Sequence, residues 1–259
     1  MLSLYDKQLN SRLLIGTARY PSPDILRQAI VASGSEMVTV SLRRQQSAPD
    51  AGQSFWNILR DTGVDILPNT AGCESVDETV TLAHMSRELF QTEFIKLEVI
   101  GDNQTLQPDM AKTLIAAERL LRDGFNVLPY CTDDLVACRQ LIDAGCQVLM
   151  PWASPIGTGR GIANPYALKT LRQRFPDITM IIDAGLGKPS QAVEAFELGF
   201  DAVLLNTAIA KAHDPVKMAS AFRHATRAGY EAQQAVPMLA QDIAAPSTTV
   251  LGFPFRELP

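Results

Sequence analysis

Short apolar runs alternate with amphipathic segments along the whole chain of 259 residues. Short apolar runs bounded by turn residues are typical of buried strands, whereas apolar positions spaced three and four apart are typical of helices. Strand patterns occur at residues 13–17, 37–41, 65–69, 94–99, 126–131, 147–151, 179–183 and 202–206. Helical patterns occur around residues 23–32, 55–61, 75–90, 108–123, 133–144, 164–175, 189–198 and 214–227.

This succession of eight strand–helix pairs is the repeat of a closed (βα)8 TIM barrel, for which about 250 residues is a usual length. A doubly wound open α/β sheet is the alternative, but it normally has fewer strands and a Gly-x-Gly-x-x-Gly turn, which residues 16–20 lack. We therefore predict one barrel domain over residues 1–259. Residues 43–54 are predicted to be a long mobile loop, and an irregular C-terminal tail is expected from about residue 230.

The composition excludes several classes of protein. Hydrophobic residues make up 46% and charged residues 20%, as in ordinary globular proteins, and the net charge of −5 argues against a nucleic-acid partner. The chain has neither an N-terminal signal segment nor an apolar run of about 18 residues, so we predict a cytoplasmic protein with no membrane contact.

The cysteines and histidines show no paired metal-ligand spacing, and we predict reduced thiols and no metal site. These residues are Cys73, Cys131, Cys138, Cys146, His84, His213 and His224.

One predicted strand, residues 94–99, carries a lysine and a glutamate among apolar residues. The period of a strand places Lys96 and Glu98 on the same face. A lysine in a core is costly unless it is paired or its pKa falls, and a lysine with a lowered pKa is a nucleophile towards carbonyls. This stretch alone leaves both interpretations open: a buried ion pair and a catalytic lysine.

Polar residues end most of the predicted strands, and in a barrel such residues line one mouth, where the chemistry takes place. They are Thr17, Arg43, Asn69, Glu98, Tyr130, Pro151, Asp183 and Asn206, with Arg43 just beyond its strand and proline the exception in polarity. Lys96 is expected to lie deeper, shielded from water and kept partly neutral. Asp183 ends another apolar strand, and two acids beside a lysine would suit proton transfers. Alternatively, one acid neutralises Lys96 and the other caps a turn.

Three turns follow late strands, at residues 157–161, 184–187 and 206–208, and the first two are rich in glycine. Loops after the seventh and eighth strands commonly bind phosphate in these barrels, because their backbone N–H groups can converge on an anion. The residues thus indicate a barrel enzyme that handles a phosphorylated carbonyl compound through Lys96.

Eight motifs carry a family resemblance: VTVSLRR at 38–44, LPNTAGC at 67–73, IKLEV at 95–99, GFNVLPYC at 124–131, PIGTG at 155–159, DAGLGKPS at 183–190, LNTAIA at 205–210 and DPVKMA at 214–219. Together they resemble the thiazole synthase (ThiG) family of thiamine biosynthesis, in order from about Leu13 to Gly229.

The resemblance implies a barrel that makes the thiazole phosphate of thiamine from 1-deoxy-D-xylulose 5-phosphate, dehydroglycine (2-iminoacetate) and sulfur. The sulfur donor would be the thiocarboxylated C-terminus of the carrier protein ThiS, and dehydroglycine would come from a glycine oxidase or a tyrosine lyase. No metal or organic cofactor is implied, and a homo-oligomer, often a tetramer, is expected.

The resemblance also assigns roles to residues. Lys96 falls on the lysine that forms a Schiff base with the C2 ketone, and Glu98 and Asp183 fall on the positions associated with proton shuttling. The sugar phosphate would be bound by Gly157, Ala184, Gly185, Asn206 and Thr207.

Some residues depart from the family pattern. Trp152 and Ala153 replace a Leu-Gly pair, which would bring an indole near the mouth, and Arg160 stands where a smaller polar residue is usual. Two other functions remain open at this stage: a Schiff-base aldolase acting on a sugar phosphate, and a non-catalytic barrel that docks the carrier protein.

Overall fold

The computed structural model describes residues 1–42 and 49–244. Within them, parallel strands close into a barrel. In chain order, these strands are β3 Leu13–Gly16, β4 Met37–Ser41, β5 Asp65–Asn69, β6 Phe94–Leu97, β9 Asn126–Cys131, β10 Val148–Pro151, β11 Thr179–Asp183 and β12 Ala202–Leu205. Each pairs with the next in this order, and β12 pairs β3 to close the barrel. The predicted (βα)8 barrel is confirmed.

Helices follow the strands and surround the barrel. They are α1 Pro23–Ser33, α2 Pro49–Thr62, α3 Val76–Phe90, α4 Met110–Arg122, α5 Leu135–Asp143, α6 Pro165–Arg174, α7 Pro189–Glu197, the short α8 Thr207–Ala210 and α9 Pro215–Ala235. Side-chain oxygens cap the first turns of most long helices, as Ser22 does for α1 and Asp214 for α9. No helix of the described residues is long and apolar enough to cross a membrane.

The sequence analysis did not predict two small hairpins. The first pairs β1 Leu2–Leu4 with β2 Lys7–Leu9 and covers the amino end of the barrel. There the Tyr5 hydroxyl donates to the carbonyl of Val127 in β9 at 2.8 Å. The second pairs β7 Ile100–Asp102 with β8 Gln107–Pro108 and stands between β6 and α4. Strands of two or three residues show too little alternation to be detected by periodicity.

Two boundaries differ from the prediction. Residues 49–54, expected to be loop, form the beginning of α2, because polar residues are compatible with a helix and Pro49 suits a first turn. Residues 43–48, with Arg43, lie outside the described residues. The helix expected to end near residue 227 continues to Ala235, since Tyr230 still packs: its ring lies 6.4 Å from that of Phe196 and 3.7 Å from the Arg12 guanidinium. The irregular tail therefore begins at about residue 236.

The hydrophobic core has two parts, and their positions show where the barrel interior is filled. One part packs the outward faces of the strands against the helices, as in any barrel of this kind. The other fills the barrel interior near its amino end, where Leu2, Leu4 and Leu9 of the first hairpin meet inward side chains such as Met150 and Ile181. Among the described residues, apolar side chains therefore fill the amino end of the barrel interior, and the large cavity opens at the carboxyl end.

Candidate active site

Lys96, Glu98 and Asp183 meet inside the barrel at its carboxyl end. The Lys96 Nζ atom lies 2.6 Å from Asp183 Oδ2 and 3.0 Å from Glu98 Oε1. The three side chains expose only 6%, 5% and 4% of their surfaces. Within this geometry the ammonium sits between two carboxylates, and the structure brings the three predicted catalytic residues together.

Neighbouring strands hold this group in place. Asn69, at the end of β5, is the register partner of Lys96. The hydroxyl of Thr70 accepts a hydrogen bond from the Glu98 amide and donates one to the Glu98 carbonyl, both at 2.8 Å. Thr70 is fully buried, so these two bonds fix the backbone where the chain leaves β6.

The protonation of Lys96 differs from the prediction. Burial by itself lowers the pKa of Lys96, but the negative charges of Asp183 and Glu98 outweigh it and raise that pKa above its ordinary value. The expectation of a partly neutral lysine was therefore wrong for the resting site: Lys96 is an ammonium there. The sequence left the contact between Lys96 and Asp183 as one of two alternatives. Asp183 reaches Lys96 from β11, across the barrel from β6.

The pKa of Asp183 also reflects a balance between burial and neighbouring charges. Burial raises its pKa, Lys96 lowers it, and the charge of Glu98 raises it again, with a net result of about 6. A carboxylate with such a pKa is well matched to accept and return a proton near neutral pH.

A cavity of about 870 Å³ opens above the three charged groups. It is large enough for a sugar phosphate, since ligand pockets are typically about 300–1,000 Å³. All of the predicted binding residues line it: Gly157, Ala184, Gly185, Asn206 and Thr207. Thr17 and Asn69, predicted at the mouth, line it as well.

The turns after β10 and β11 pack directly against each other. A Cβ atom on Gly185 would come within 2.5 Å of the Ser154 amide nitrogen and 2.6 Å of its carbonyl oxygen. Gly187 is equally tight, since its Cβ would meet the Gly159 carbonyl oxygen at 2.5 Å. The Gly161 amide donates to the Gly185 carbonyl at 2.8 Å. These glycines therefore allow two main-chain segments to form one thin, continuous wall of the cavity.

The Asn206 side chain has room only because residue 16 is glycine, and the sequence analysis did not single out Gly16. A Cβ atom on Gly16 would stand 2.6 Å from Asn206 Cβ, so only glycine at the end of β3 leaves room for the amide. The amide Nδ2 atom donates to the Ala18 carbonyl at 3.0 Å. Its buried Oδ1 atom has no partner among the described residues, and it is available to a donor group of a ligand.

Two predicted mouth residues do not line the cavity. Pro151 and Tyr130 are both buried, and the Tyr130 hydroxyl donates to the carbonyl of Leu106 at 3.4 Å. Burial, followed by the charges of Asp183 and Glu98, raises the pKa of Tyr130, which keeps the phenol neutral. Its ring centroid lies 5.6 Å from Lys96 Nζ. Tyr130 therefore supports the charged group from below the cavity.

Three exposed cations also line the cavity: Arg19, Lys188 and Lys211. None of them makes an ion pair with the part of the chain that the structure describes. In a protein of net charge −5, this places positive charge at the rim of the cavity, where an anionic ligand would enter. The sequence signal was weak, because each is an isolated polar residue after a strand or short helix.

Trp152 directly follows β10 at the mouth, and its indole does not line the cavity. Its Nε1 atom donates to Asp133 Oδ1 at 3.0 Å, while Asn164 Nδ2 donates to the other carboxylate oxygen at 2.8 Å. Asp133 thus joins the loop after β9 to the loop after β10. Arg160 is exposed and does not line the cavity either.

Asp133→Ala should lower the free energy of unfolding by roughly 1 kcal/mol, because it removes two hydrogen bonds and leaves the part-buried Trp152 donor without its acceptor. Urea unfolding followed by tryptophan fluorescence measures this change. Asp177→Ala is a suitable control, since Asp177 is exposed, and its replacement should change stability by less than about 0.5 kcal/mol. Equal effects of the two substitutions would contradict a role for Asp133 in joining the loops.

The cysteines are free and buried, and no group of three or more His, Cys, Asp or Glu side chains among the described residues could hold a metal ion. Burial is the main reason why the pKa of the Cys131 thiol is raised. The Cys138 sulfur, 3.9 Å away, raises this pKa further. The buried Cys131 thiol is therefore a packing group in the resting protein.

Comparison with known proteins gives a consistent result. The family model described as "Thiazole biosynthesis protein ThiG" matches residues 3–249. Curated relatives named thiazole synthase include those of Ralstonia pickettii (strain 12J) and Rhodopseudomonas palustris (strain BisB5), which are 61% and 60% identical over 255 residues. These matches cover 98% of this chain and 93% and 98% of the two relatives.

Among solved structures, a chain in the crystal structure of the Amycolatopsis orientalis BexX/CysO complex is similar with a TM-score of 0.84 and 32% identity. The match covers 94% of this chain and 98% of that one. A structure described as native KDPGal has a TM-score of 0.59 and 20% identity, which shows a shared fold alone.

Proposed function

The chain belongs to the ThiG family of thiazole biosynthesis proteins, and we propose on that premise that it makes thiazole phosphate through a Schiff base on Lys96. Family membership makes the protein a thiazole synthase of thiamine biosynthesis and a sulfur-incorporating enzyme of the transferase class. The proposed inputs are 1-deoxy-D-xylulose 5-phosphate, dehydroglycine and sulfur from thiocarboxylated ThiS.

The observation that carries this proposal is the buried ammonium between two carboxylates at the floor of the cavity. Asp183 takes one proton from Lys96, and the neutral amine attacks C2 of the ketone. A bond forms between Nζ and C2, and the carbonyl electron pair moves to oxygen. This oxygen takes up one proton from Asp183 and one from the attacking nitrogen, and it leaves as water. The product is an iminium ion, so one positive charge remains between the same two carboxylates.

The iminium ion also accounts for the presence of two acids. Removal of the C3 proton by one carboxylate gives an enaminol, and return of a proton to C2 moves the ketone to C3. Both transfers need a base that can become an acid in the next step, and Asp183, with a pKa near 6, is suited to this exchange. Sulfur addition and ring closure would follow on the same face.

The glycine turns provide the proposed phosphate site. Gly157 and Gly185 adopt left-handed backbone conformations, with φ of +77° and +82°, and line the cavity beside Asn206 and Thr207. Short main-chain turns of this kind allow N–H groups to approach phosphate oxygens closely. Lys188 and Lys211 at the rim add positive charge for a dianionic group.

The partners are proposed on two supports. BexX forms a complex with CysO, and this chain is similar to a chain of that crystal structure over nearly its whole length. The cationic rim of the cavity would favour a negatively charged chain end, such as a thiocarboxylate. We propose that ThiS binds there, and that dehydroglycine comes from a glycine oxidase or tyrosine lyase. The cytoplasmic location, the tetramer and the absence of a cofactor stay predictions.

Reductive trapping tests the proposal directly. Incubation of the protein with 1-deoxy-D-xylulose 5-phosphate and cyanoborohydride should add one sugar phosphate per chain, and peptide mass mapping should place it on Lys96. Labelling of another lysine, or of a Lys96→Arg variant to the same extent, would exclude the mechanism. Cleavage of the sugar phosphate without thiocarboxylated ThiS would instead indicate an aldolase.

The rate of trapping should fall below about pH 6, by up to tenfold per pH unit. Protonation of Asp183, whose pKa is about 6, removes the base that accepts the Lys96 proton, so the active form lies above that pH. Asp183→Asn should lower the rate by about 10²–10⁴-fold and abolish this acid limb. The measurement is the initial trapping rate between pH 5 and 8, and an unchanged acid limb in the variant would show that another group controls it.

A further inference from the structure

One wall of the cavity carries three apolar side chains. It is formed by the loops after β5 and β6, with Ala71, Ile100 and Leu106, whose side chains contribute only carbon. The proposed phosphate site follows β10, β11 and β12. In the closed order of strands β6 lies four positions from β12, so the apolar wall and the phosphate site face each other across the mouth.

The second hairpin holds this wall rigidly. The Ile100 amide donates to the Cys73 carbonyl at 2.8 Å, and Ile100 is paired with Pro108 across the hairpin and is 4% exposed. The Leu106 amide donates to the Asp102 carbonyl at 2.8 Å. The wall is therefore a built part of the site, formed by ordered backbone on both strands.

Leu106 has an unusual backbone conformation for a leucine. Its φ is +55°, a left-handed conformation that costs an ordinary side chain roughly 1–2 kcal/mol. Such strain persists only where the surroundings impose it, and it is common at ligand sites. Here the half-buried side chain lines the cavity, and the Leu106 carbonyl accepts the Tyr130 hydroxyl at 3.4 Å.

Tyr130 also relates this wall to the reacting nitrogen. Its ring centroid lies 5.6 Å from Lys96 Nζ, and its hydroxyl contacts Leu106. One buried aromatic ring therefore links the Leu106 main chain to the region of Lys96, and Lys96 and Leu106 line the same cavity.

We propose that Ile100 and Leu106 form the pocket for the C1 methyl group of the sugar phosphate and select methyl ketones against hydroxymethyl ketones. This inference rests on the proposed function. With C5 phosphate at the glycine turns and C2 at Lys96, C1 points to the opposite wall. A hydroxyl on C1 would lose its water there without gaining a partner from these side chains, and a hydrophobic pocket rejects such an analogue by about 100-fold.

Two sugar phosphates test the proposal, because 1-deoxy-D-xylulose 5-phosphate and D-xylulose 5-phosphate differ only in the hydroxyl on C1. The trapping rate on Lys96 at limiting substrate should favour the deoxy sugar by about 100-fold in the unmodified protein. Leu106→Asn should reduce this preference to about tenfold or less. Asparagine has the same heavy-atom branching as leucine, tolerates the left-handed conformation and offers a polar partner. Leu106→Met keeps an apolar wall and should retain the preference.

The outcomes separate this inference from the proposed function. If the deoxy sugar labels Lys96 and Leu106→Asn retains the full preference, the methyl pocket is wrong while the function stands. If the deoxy sugar does not label the unmodified protein at Lys96, the proposed function fails, and the pocket with it.

Should Leu106→Asn fail to fold by circular dichroism, Ile100→Thr and Ile100→Val replace it, since threonine and valine have the same shape. A lower preference in the threonine variant than in the valine variant supports the pocket, and equal preferences overturn it.

Discussion

Lys96→Ala is expected to abolish trapping and to lower the free energy of unfolding by about 3–5 kcal/mol at pH 8. The substitution leaves Glu98 and Asp183, whose side chains are 5% and 4% exposed, without their countercharge. A buried carboxylate that loses its cation is far less stable than the intact ion pair, because neither water nor protein compensates its charge.

This loss of stability should depend on pH in a defined direction. The pKa of Asp183 is already raised by burial to about 6, and removal of Lys96, which lowers it, raises it further. An acid whose pKa is raised in the folded state stabilises the fold at low pH and loses that contribution as pH rises through the folded pKa. The destabilisation of Lys96→Ala should therefore be smaller at pH 5.5 than at pH 8 in urea unfolding. Equal losses at both values would contradict the charge-burial explanation.

Lys96→Arg is the matched variant for this experiment. It keeps a cation between the two carboxylates but cannot form a Schiff base, because a guanidinium stays protonated. We expect it to retain most of the stability and to lose all trapping. Loss of trapping in both variants, with loss of stability only in Lys96→Ala, would separate the chemical role of the lysine from its structural role.

Gly185→Ala is expected to have the second large effect. The substitution forces a side chain into a backbone with φ of +82°, at a cost of roughly 1–2 kcal/mol. It also brings the new methyl group within 2.6 Å of the Ser154 main chain, and overpacking of this kind costs about 1–3 kcal/mol more. The wall between the two glycine turns would have to open, so the KM for the sugar phosphate should rise at least tenfold.

Gly124→Ala provides the control, because Gly124 has the same φ of +82° and nothing within 4 Å of an added Cβ. It should show only the conformational strain, with the KM for the sugar phosphate unchanged. Thermal unfolding and trapping kinetics of the two variants give the difference. If both glycines respond alike, the close approach of the two turns does not shape the phosphate site.

Much of the fold was predictable because each barrel strand is buried on both faces. Such strands appear as short apolar runs, and the change from one run to the next amphipathic segment is visible without any tertiary information. The candidate catalytic group was visible for the same reason, since Lys96, Glu98 and Asp183 interrupt runs that are otherwise apolar. A charge in such a run is rare unless it is paired or functional.

Other features left no sequence signal. The first hairpin, β1 and β2, has three residues in each strand, too few for periodicity, although its leucines fill the amino end of the barrel. Trp152 was expected near the mouth, but the direction of its indole follows from its hydrogen bond to Asp133, in the loop after β9. The need for glycine at Gly16 came from the Asn206 side chain, which lies beside it only in the closed barrel.

The sequence by itself determined the alternation of eight strands and helices, the polar ends of the strands and the residue types of the site. It could do so because burial and periodicity are local properties of the chain. The tertiary structure alone decided the charge of Lys96, since the pKa depends on the 2.6 Å and 3.0 Å separations from Asp183 and Glu98. It also decided the shape of the cavity, because the walls are formed by turns from distant strands whose contacts exist only once the barrel has closed.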